Sequence, residues 1–292
     1  MRYRTDLAIE NKELIERDNS ECQIPGIIFK KWQYDNGIDV AHIKIIDEKG
    51  ETAFGRKRGN YITIEANNIL DGCEEIKESV AEALSEVLKG VIEFNKQLKF
   101  LVVGLGNKRI TPDSLGPTTL EKIDITRHIF LSLNISKDDE MSCVSGFVPG
   151  VMGTTGIETL DLIKKAVELV EPDYVIVIDS LAARNIDRVS TTIQVNDTGI
   201  APGAGLGNYR KELTEESIGR KVVAIGVPTV IDSTTLVLDA LDSFINDEPV
   251  INKYVKKNVK KMIVTPTDID IIINEFSSII AKGINKTLHP GI

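Results

Sequence analysis

The sequence is short of the residues on which most hydrolytic enzymes depend. Its 292 residues include three histidines, His42, His128 and His289, and three cysteines, Cys22, Cys73 and Cys143. Serine–histidine and cysteine–histidine catalysis both need an imidazole held beside the nucleophile. His42 falls in a predicted hairpin strand, His128 in an extended run and His289 near the C-terminus, so each reads as a surface or core histidine. The cysteines are odd in number, widely spaced and never in a CxxC pair. That argues against a disulfide framework or structural zinc and for a reducing compartment. Cys143 reads as a small buried apolar residue. No HExxH or similar metal-ligand spacing occurs, and there is no GxxxxGK[ST] phosphate loop. No apolar run nears the roughly 18 residues of a membrane span, and MRYRTD at the start holds no signal-peptide core. Positive charge is also scarce: the net charge is −9 and the pI about 5.1. Without a basic cluster interleaved with aromatics, direct nucleic-acid binding is disfavoured, and a basic protein is the better tolerated partner. What remains is a cytoplasmic globular protein with no membrane partner, whose 42% hydrophobic content suffices for a large core.

What is present is an α/β pattern centred on FLVVGLGNKRITPDSLGP, residues 100–117. Residues 100–103 form a β-branched run stopped by Gly104 and Gly106, the mark of a parallel strand covered on both faces. In open α/β sheets ligands bind beyond the carboxyl ends of the strands, and that crevice receives Gly104, Gly106, Asn107 and Asp113. Two readings of Asp113 stand side by side. With Thr111 as a cap and Pro112 at the first helical position, an acid next in line stabilises a helix start; placed on the crevice, it is a candidate for chemistry. GLGNKR lacks the third glycine of a dinucleotide loop, which makes a nucleotide the weaker occupant.

Along the chain, residues 1–6 form a polar arm, Arg2 and Arg4 against Asp6, ahead of a helical pattern over residues 7–17. Residues 27–32 and 38–46 flank the turn YDNG and predict a hairpin, residues 61–65 add a strand, and the basic loop GRKRG at 55–59 reads as a solvated turn. Ile76, Val80, Ala83, Leu84, Val87 and Val91 fall at helical spacing. After Asp113 a helix is expected to Lys122; residues 125–131 and 141–148 read as extended, 149–153 as a loop and 155–170 as an amphipathic helix stopped by Pro172. Residues 174–178 are a second buried strand, ending in Asp179. Strand, helix and strand make a right-handed βαβ unit, which brings Asp179 to the same rim as Asp113; a helix cap at Asp179 is the competing reading. The glycine-rich stretch 197–208 is long for a compact domain and reads as a substrate-side flap. A strand over 221–227 leads to Asp232, a third acid near a strand end, and a last helix spans 268–282. With no repeat, low-complexity tract or interior linker, the expected fold is one α/β domain. It has a central, mostly parallel sheet flanked by helices and a β-rich addition over residues 7–70.

The acids on the proposed rim carry the chemical expectation. Two carboxylates close enough to share a proton acquire separated pKa values, so one acts as a base towards water while the other holds a proton for the substrate. Such a pair hydrolyses peptide bonds with no metal, cofactor or covalent nucleophile. A non-catalytic α/β module whose glycine loop holds an anion belongs to a different class, marked by binding without turnover.

In RTDLAIE (residues 4–10), VVGLGN (102–107), TPDSLGP (111–117), TRH (126–128), GVMG (150–153), VIDSLAAR (177–184), the 197–208 loop, GVPTV (226–230) and VTP (264–266), the chain resembles the germination protease family of spore-forming bacteria. The resemblance covers nearly the whole chain. It implies an aspartic-type endopeptidase acting on small acid-soluble spore proteins in the spore core, with Asp113 and Asp179 as the catalytic aspartates and no cofactor. It also implies a homotetramer made as a zymogen that removes its own N-terminal segment. The cut falls between Asp6 and Leu7, which makes residues 1–6 a propeptide and the chain from Met1 the precursor. The fold implied is that of the hydrogenase maturation peptidases, where the corresponding acids bind a metal with a histidine's help. No histidine occurs here in residues 197–208 or 226–233, so the metal-dependent reading is the alternative.

Overall fold

Seven expected runs become strands, and two short unexpected ones join them in a single sheet. In chain order these are β1 (Ile27–Gln33), β2 (Asp39–Ile45), β3 (Gly59–Glu65), β4 (Lys99–Gly104), β5 (Cys143–Phe147), β6 (Tyr174–Ala183), β7 (Thr192–Asn196), β8 (Lys221–Asp232) and β9 (Ile263–Val264). The computed structural model describes residues 5–18, 24–34, 37–67, 69–70, 72–95, 97–136, 138, 140–203, 210–241 and 248–291. The spatial order is β1-β2-β3-β7-β8-β6-β4-β5, with β9 on the end of β8.

The sheet is mixed, which corrects the expectation of a mostly parallel one. Only β4 with β5, β4 with β6 and β6 with β8 run parallel; the pairs β1–β2, β2–β3, β3–β7, β7–β8 and β8–β9 are antiparallel. The reason lies in the connections, since parallel neighbours need a long crossover while short links reverse the chain. β7 follows β6 after only the link 184–191 and returns antiparallel between β3 and β8. It thereby fuses the N-terminal strands into the main sheet, and the β-rich addition is no separate layer.

The helices are α1 (Ala8–Asp18), α2 (Glu48–Phe54), α3 (Glu74–Ile92), α4 (Leu115–Leu120), α5 (Arg127–Ser132), α6 (Met152–Thr155), α7 (Thr159–Val170), α8 (Glu215–Ile218), α9 (Ser233–Leu241), α10 (Glu248–Asn258) and α11 (Ile269–Leu288). Residues 125–131 were expected to be extended, but α5 forms there. Thr126 ties the chain to β5, its hydroxyl donating to the Ser142 carbonyl at 2.5 Å and accepting from Val144 N at 2.9 Å, and the chain then turns into a helix. Within 155–170, Gly156 at φ +71° separates the single turn α6 from α7.

The two-residue period of the strands feeds two cores. Phe100, Val102, Ile176 and Ile178 join Leu84 and Leu88 of α3 and Phe276, Ile280 and Ile284 of α11 on one side. Leu101, Val103, Val175 and Val177 join Leu160 and Ile163 of α7 on the other. Beyond the end of that second face, Leu181 and Ala183 pack with Leu7, Ala8 and Ile9, which brings the chain's N-terminal segment against β6.

Candidate active site

Asp113 is delivered by a tight turn after β4. Leu105 N donates to the Ile178 carbonyl at 2.8 Å, so the strand exit is clamped to β6; Asn107 N donates to the Asp113 carbonyl at 2.9 Å and closes the loop. Gly106 sits at φ +108°, and a Cβ there would lie 2.0 Å from the Asp113 carbonyl oxygen, so the approach requires glycine. Asp113 ends a single 3-10 turn, Thr111–Asp113, in which Thr111 makes no side-chain cap. The Thr229 hydroxyl holds the turn from β8 by donating to the Pro112 carbonyl at 2.7 Å. The helix-start reading is right about Pro112 near the first helical position; the proposed Thr111 cap is absent.

Asp179 lies inside β6, which runs on four residues to Ala183, so it caps no helix. Its side chain is 5% exposed, and its Oδ1 accepts from Ser180 N at 2.9 Å. Burial holds the Asp179 carboxyl well above the usual carboxylate range, and the charges of Asp113 and then Asp6 push it further. Asp113 is less enclosed. Burial raises its pKa too, while the Asn107 backbone N–H and the Arg210 charge work against the rise. The rim proposed from sequence thus brings these two acids within electrostatic reach of each other, and adds Asp6.

Asp232 does not join them. Its Oδ1 accepts from Thr234 N at 3.0 Å and Thr235 N at 3.1 Å, which caps the first turn of α9. Among the histidines, His42 pairs with Asn60 at 2.9 Å, His289 with the Asp124 carbonyl at 2.9 Å, and His128 is exposed on α5. Among the described residues no group of three or more His, Cys, Asp or Glu side chains is arranged to hold a metal ion. No helix among the described residues is long and apolar enough to cross a membrane.

The surroundings of Asp6 and Leu7 were the least legible part. Asp6 N donates to the Ala182 carbonyl at 3.0 Å, Asp6 Oδ2 accepts from Ala182 N at 2.9 Å, and Gln194 Nε2 donates to the Asp6 carbonyl at 3.0 Å. Gln194 Oε1 in turn accepts from Ala8 N at 2.6 Å. Leu7 and Ala8 are fully buried, so the bond between Asp6 and Leu7 is seated against β6 and β7 and is not part of a loose arm. Arg56, read from sequence as part of a solvated turn, folds inward. Its Nη2 donates to the Thr5 carbonyl at 3.4 Å, and its guanidinium lies 5.7 Å from the Tyr61 ring centroid. Arg2, Arg4, Asp35, Asn36, Cys22 and residues 204–208 of the glycine-rich stretch lie outside the described residues. Of that stretch, Asp197 anchors β3 by accepting from Asn60 N at 2.7 Å, and Ile200 pairs with Leu213.

Comparison with known proteins identifies the family. A model of the germination protease family, peptidase A25, matches residues 4–248. Proteins named germination protease are 39% identical in Caldanaerobacter subterraneus subsp. tengcongensis, over 99% of this chain and 95% of the relative, and 38% identical in Clostridium tetani, over 100% and 97%. One from Geobacillus sp. (strain WCH70) is 45% identical over 82% of this chain and 66% of its own length. The molecule is thus an α/β peptidase. It belongs to the germination protease family, and the process its relatives are named for is germination.

Proposed function

We propose that the protein is a self-processing aspartic endopeptidase in which Asp113 and Asp179 activate water between them. The observation that carries this reading joins acids far apart in sequence: the exit of β4 that leads to Asp113 is clamped to β6 one residue before buried Asp179, and the charges of Asp113 and Asp6 both act on Asp179. Asp179, the more deeply buried, keeps a proton; Asp113, more open and near the Arg210 charge, is the ionised partner. As a coupled pair they divide the work by environment. Asp113 takes a proton from water as its oxygen attacks the peptide carbonyl, and Asp179 donates its proton to the carbonyl oxygen. When the C–N bond breaks, the proton held by Asp113 passes to the leaving nitrogen, and the collapsing hydroxyl returns a proton to Asp179.

The first bond cut on this reading is the one between Asp6 and Leu7, held against the strand that carries Asp179 by the hydrogen bonds between Asp6 and Ala182. The substrates are small acid-soluble spore proteins in the spore core, and the assembled form is a homotetramer, both carried over from the resemblance. So is kinship with the hydrogenase maturation peptidases, and with it the rival in which a metal activates the water.

At mildly acidic pH Asp179 holds its proton, and the precursor kept there is expected to lose residues 1–6. Mass spectrometry of the N-terminus follows the cut, with Asp113→Asn as the control. A new terminus at Leu7 in the wild type alone supports the reading. A stable N-terminus, or equal cutting in the variant, contradicts it.

A further inference from the structure

Glu10 is a buried acid for which water activation has no use. It is fully enclosed, and its carboxylate accepts from Arg184 N and Asn185 N, each at 2.8 Å, immediately after β6. A third donor is the Thr5 hydroxyl, in close contact with Glu10 Oε2. The same Thr5 Oγ1 accepts from the backbone nitrogen of Leu7 at 2.9 Å. One hydroxyl therefore bridges the Leu7 nitrogen and the Glu10 carboxylate. That nitrogen is the leaving atom of the cut proposed above, and Thr5 lies on the fragment that departs.

We propose that, after cleavage, the new α-ammonium of Leu7 replaces the Thr5 hydroxyl on Glu10, and that this buried ion pair holds the mature N-terminus against the strand that carries Asp179. The inference rests on the processing reading. Hydrolysis adds water across the bond, leaving a carboxylate on Asp6 and, once the acid's proton has passed to the amine, an ammonium on Leu7. Loss of residues 1–6 takes away one of Glu10's donors and also removes Asp6, a neighbouring negative charge. The ammonium brings three donors to the same place, and a charged donor makes a stronger bond to carboxylate than a hydroxyl does. Leu7 and Ala8 stay buried against Leu181 and Ala183, so the terminus is held where the bridge was. Burial raises the Glu10 pKa, while the Thr5 hydroxyl, the Asn185 and Arg184 N–H groups and the Arg184 charge work against the rise. Arg56 feels the Glu10 charge from the segment after α2 and Arg188 from the turn before β7; Arg184 also faces Glu13 and Asp239, and Arg188 faces Glu13 and Glu65. These donors and cations favour the charged form of Glu10, the form with which the ammonium pairs.

Titration of the Leu7 amine tests the pair, because burial alone and ion pairing move it in opposite directions. Burial without a partner lowers an amine's pKa and a carboxylate partner raises it. The self-processed enzyme, and a chain prepared to begin at Leu7, are labelled with acetic anhydride across a pH series, and N-terminal acetylation is read by mass spectrometry. Native Leu7 is expected to titrate above the ordinary α-amino range of about 7.7–8.0 and to react about ten-fold or more slowly than in the unfolded chain near neutral pH. Glu10→Gln is expected to remove the upward shift. A native Leu7 amine titrating at or below the ordinary range, or one unchanged in Glu10→Gln, overturns the proposal. If Glu10→Gln fails to fold, the wild-type titration decides alone. If the precursor is cut elsewhere, its new terminus shows the processing reading to be wrong, while the chain prepared from Leu7 still decides the pairing.

Discussion

Replacing Asp179 by asparagine is expected to stop both arm removal and substrate cleavage, a loss on the order of 10²–10⁴-fold or more, while leaving the protein folded. The amide oxygen still accepts from Ser180 N, and the side chain keeps its shape, but an amide has no proton to give the carbonyl oxygen. Asp113→Asn is expected to lose activity equally, because it cannot take the proton from water. Asp232→Asn serves as the control: its oxygen still caps α9, and activity is expected to remain. Stability separates loss of chemistry from loss of fold. Folding raises the Asp179 pKa, so the unfolded chain ionises first as pH climbs past the ordinary carboxylate value of about 3.9. Wild-type stability therefore falls from that pH upward towards the folded pKa, and is highest below it. Asp179→Asn carries no such term, so it is expected to be the more stable protein near neutral pH by denaturant titration. Near-wild-type hydrolysis by Asp179→Asn would overturn the assignment.

The second large effect is expected at Gly116, which shapes the site without touching substrate. A Cβ there would lie 2.3 Å from the Leu105 carbonyl oxygen and 2.5 Å from that of Ile178, both backbone atoms that cannot swing aside. Gly116→Ala must therefore lift α4 from the ends of β4 and β6, and Asp113 is linked to α4 through Ser114 alone. Overpacking of this kind costs about 3 kcal/mol, the upper end of the usual range, since no rotamer change relieves it. The expected result is a fall in both denaturant midpoint and hydrolysis rate. Gly90→Ala in α3 is the matched control. Its Cβ meets nothing within 4 Å, and it is expected to gain about 0.5–1 kcal/mol from helix propensity. A Gly116→Ala enzyme with unchanged midpoint and rate would show that the close contact is not what places Asp113.

Legibility followed the range of the signal. Strands such as residues 100–103 and 174–178 announce themselves through β-branched runs, and helices such as α3 through apolar spacing, because both are read from neighbours in sequence. Asp113 and Asp179 were singled out for the same reason, as acids next to such strands. The sense of the sheet was not legible. β7 is a five-residue strand, TIQVN, whose pairing with β3 and β8 depends on partners far away in the chain. The run 125–131 was misread because its apolar residues suit either period until Thr126 bonds to β5. Arg56 and Glu10 were missed by the ordinary rule that charges face water; here Thr5 contacts both, its carbonyl accepting from Arg56 and its hydroxyl donating to Glu10, and the residues after β6 supply the remaining donors to Glu10. Gln194 carried no sequence signal, since a glutamine in a strand is remarkable only once Asp6 and Ala8 are seen on either end of its amide.

The most direct test of the central claim is incubation of the processed enzyme, its N-terminus verified as Leu7, with a small acid-soluble spore protein, with and without EDTA, followed by mass spectrometry. A water-activating pair of aspartates predicts discrete fragments at the same sites and rates in both samples. Intact substrate, or cleavage that EDTA abolishes and added metal restores, would contradict it.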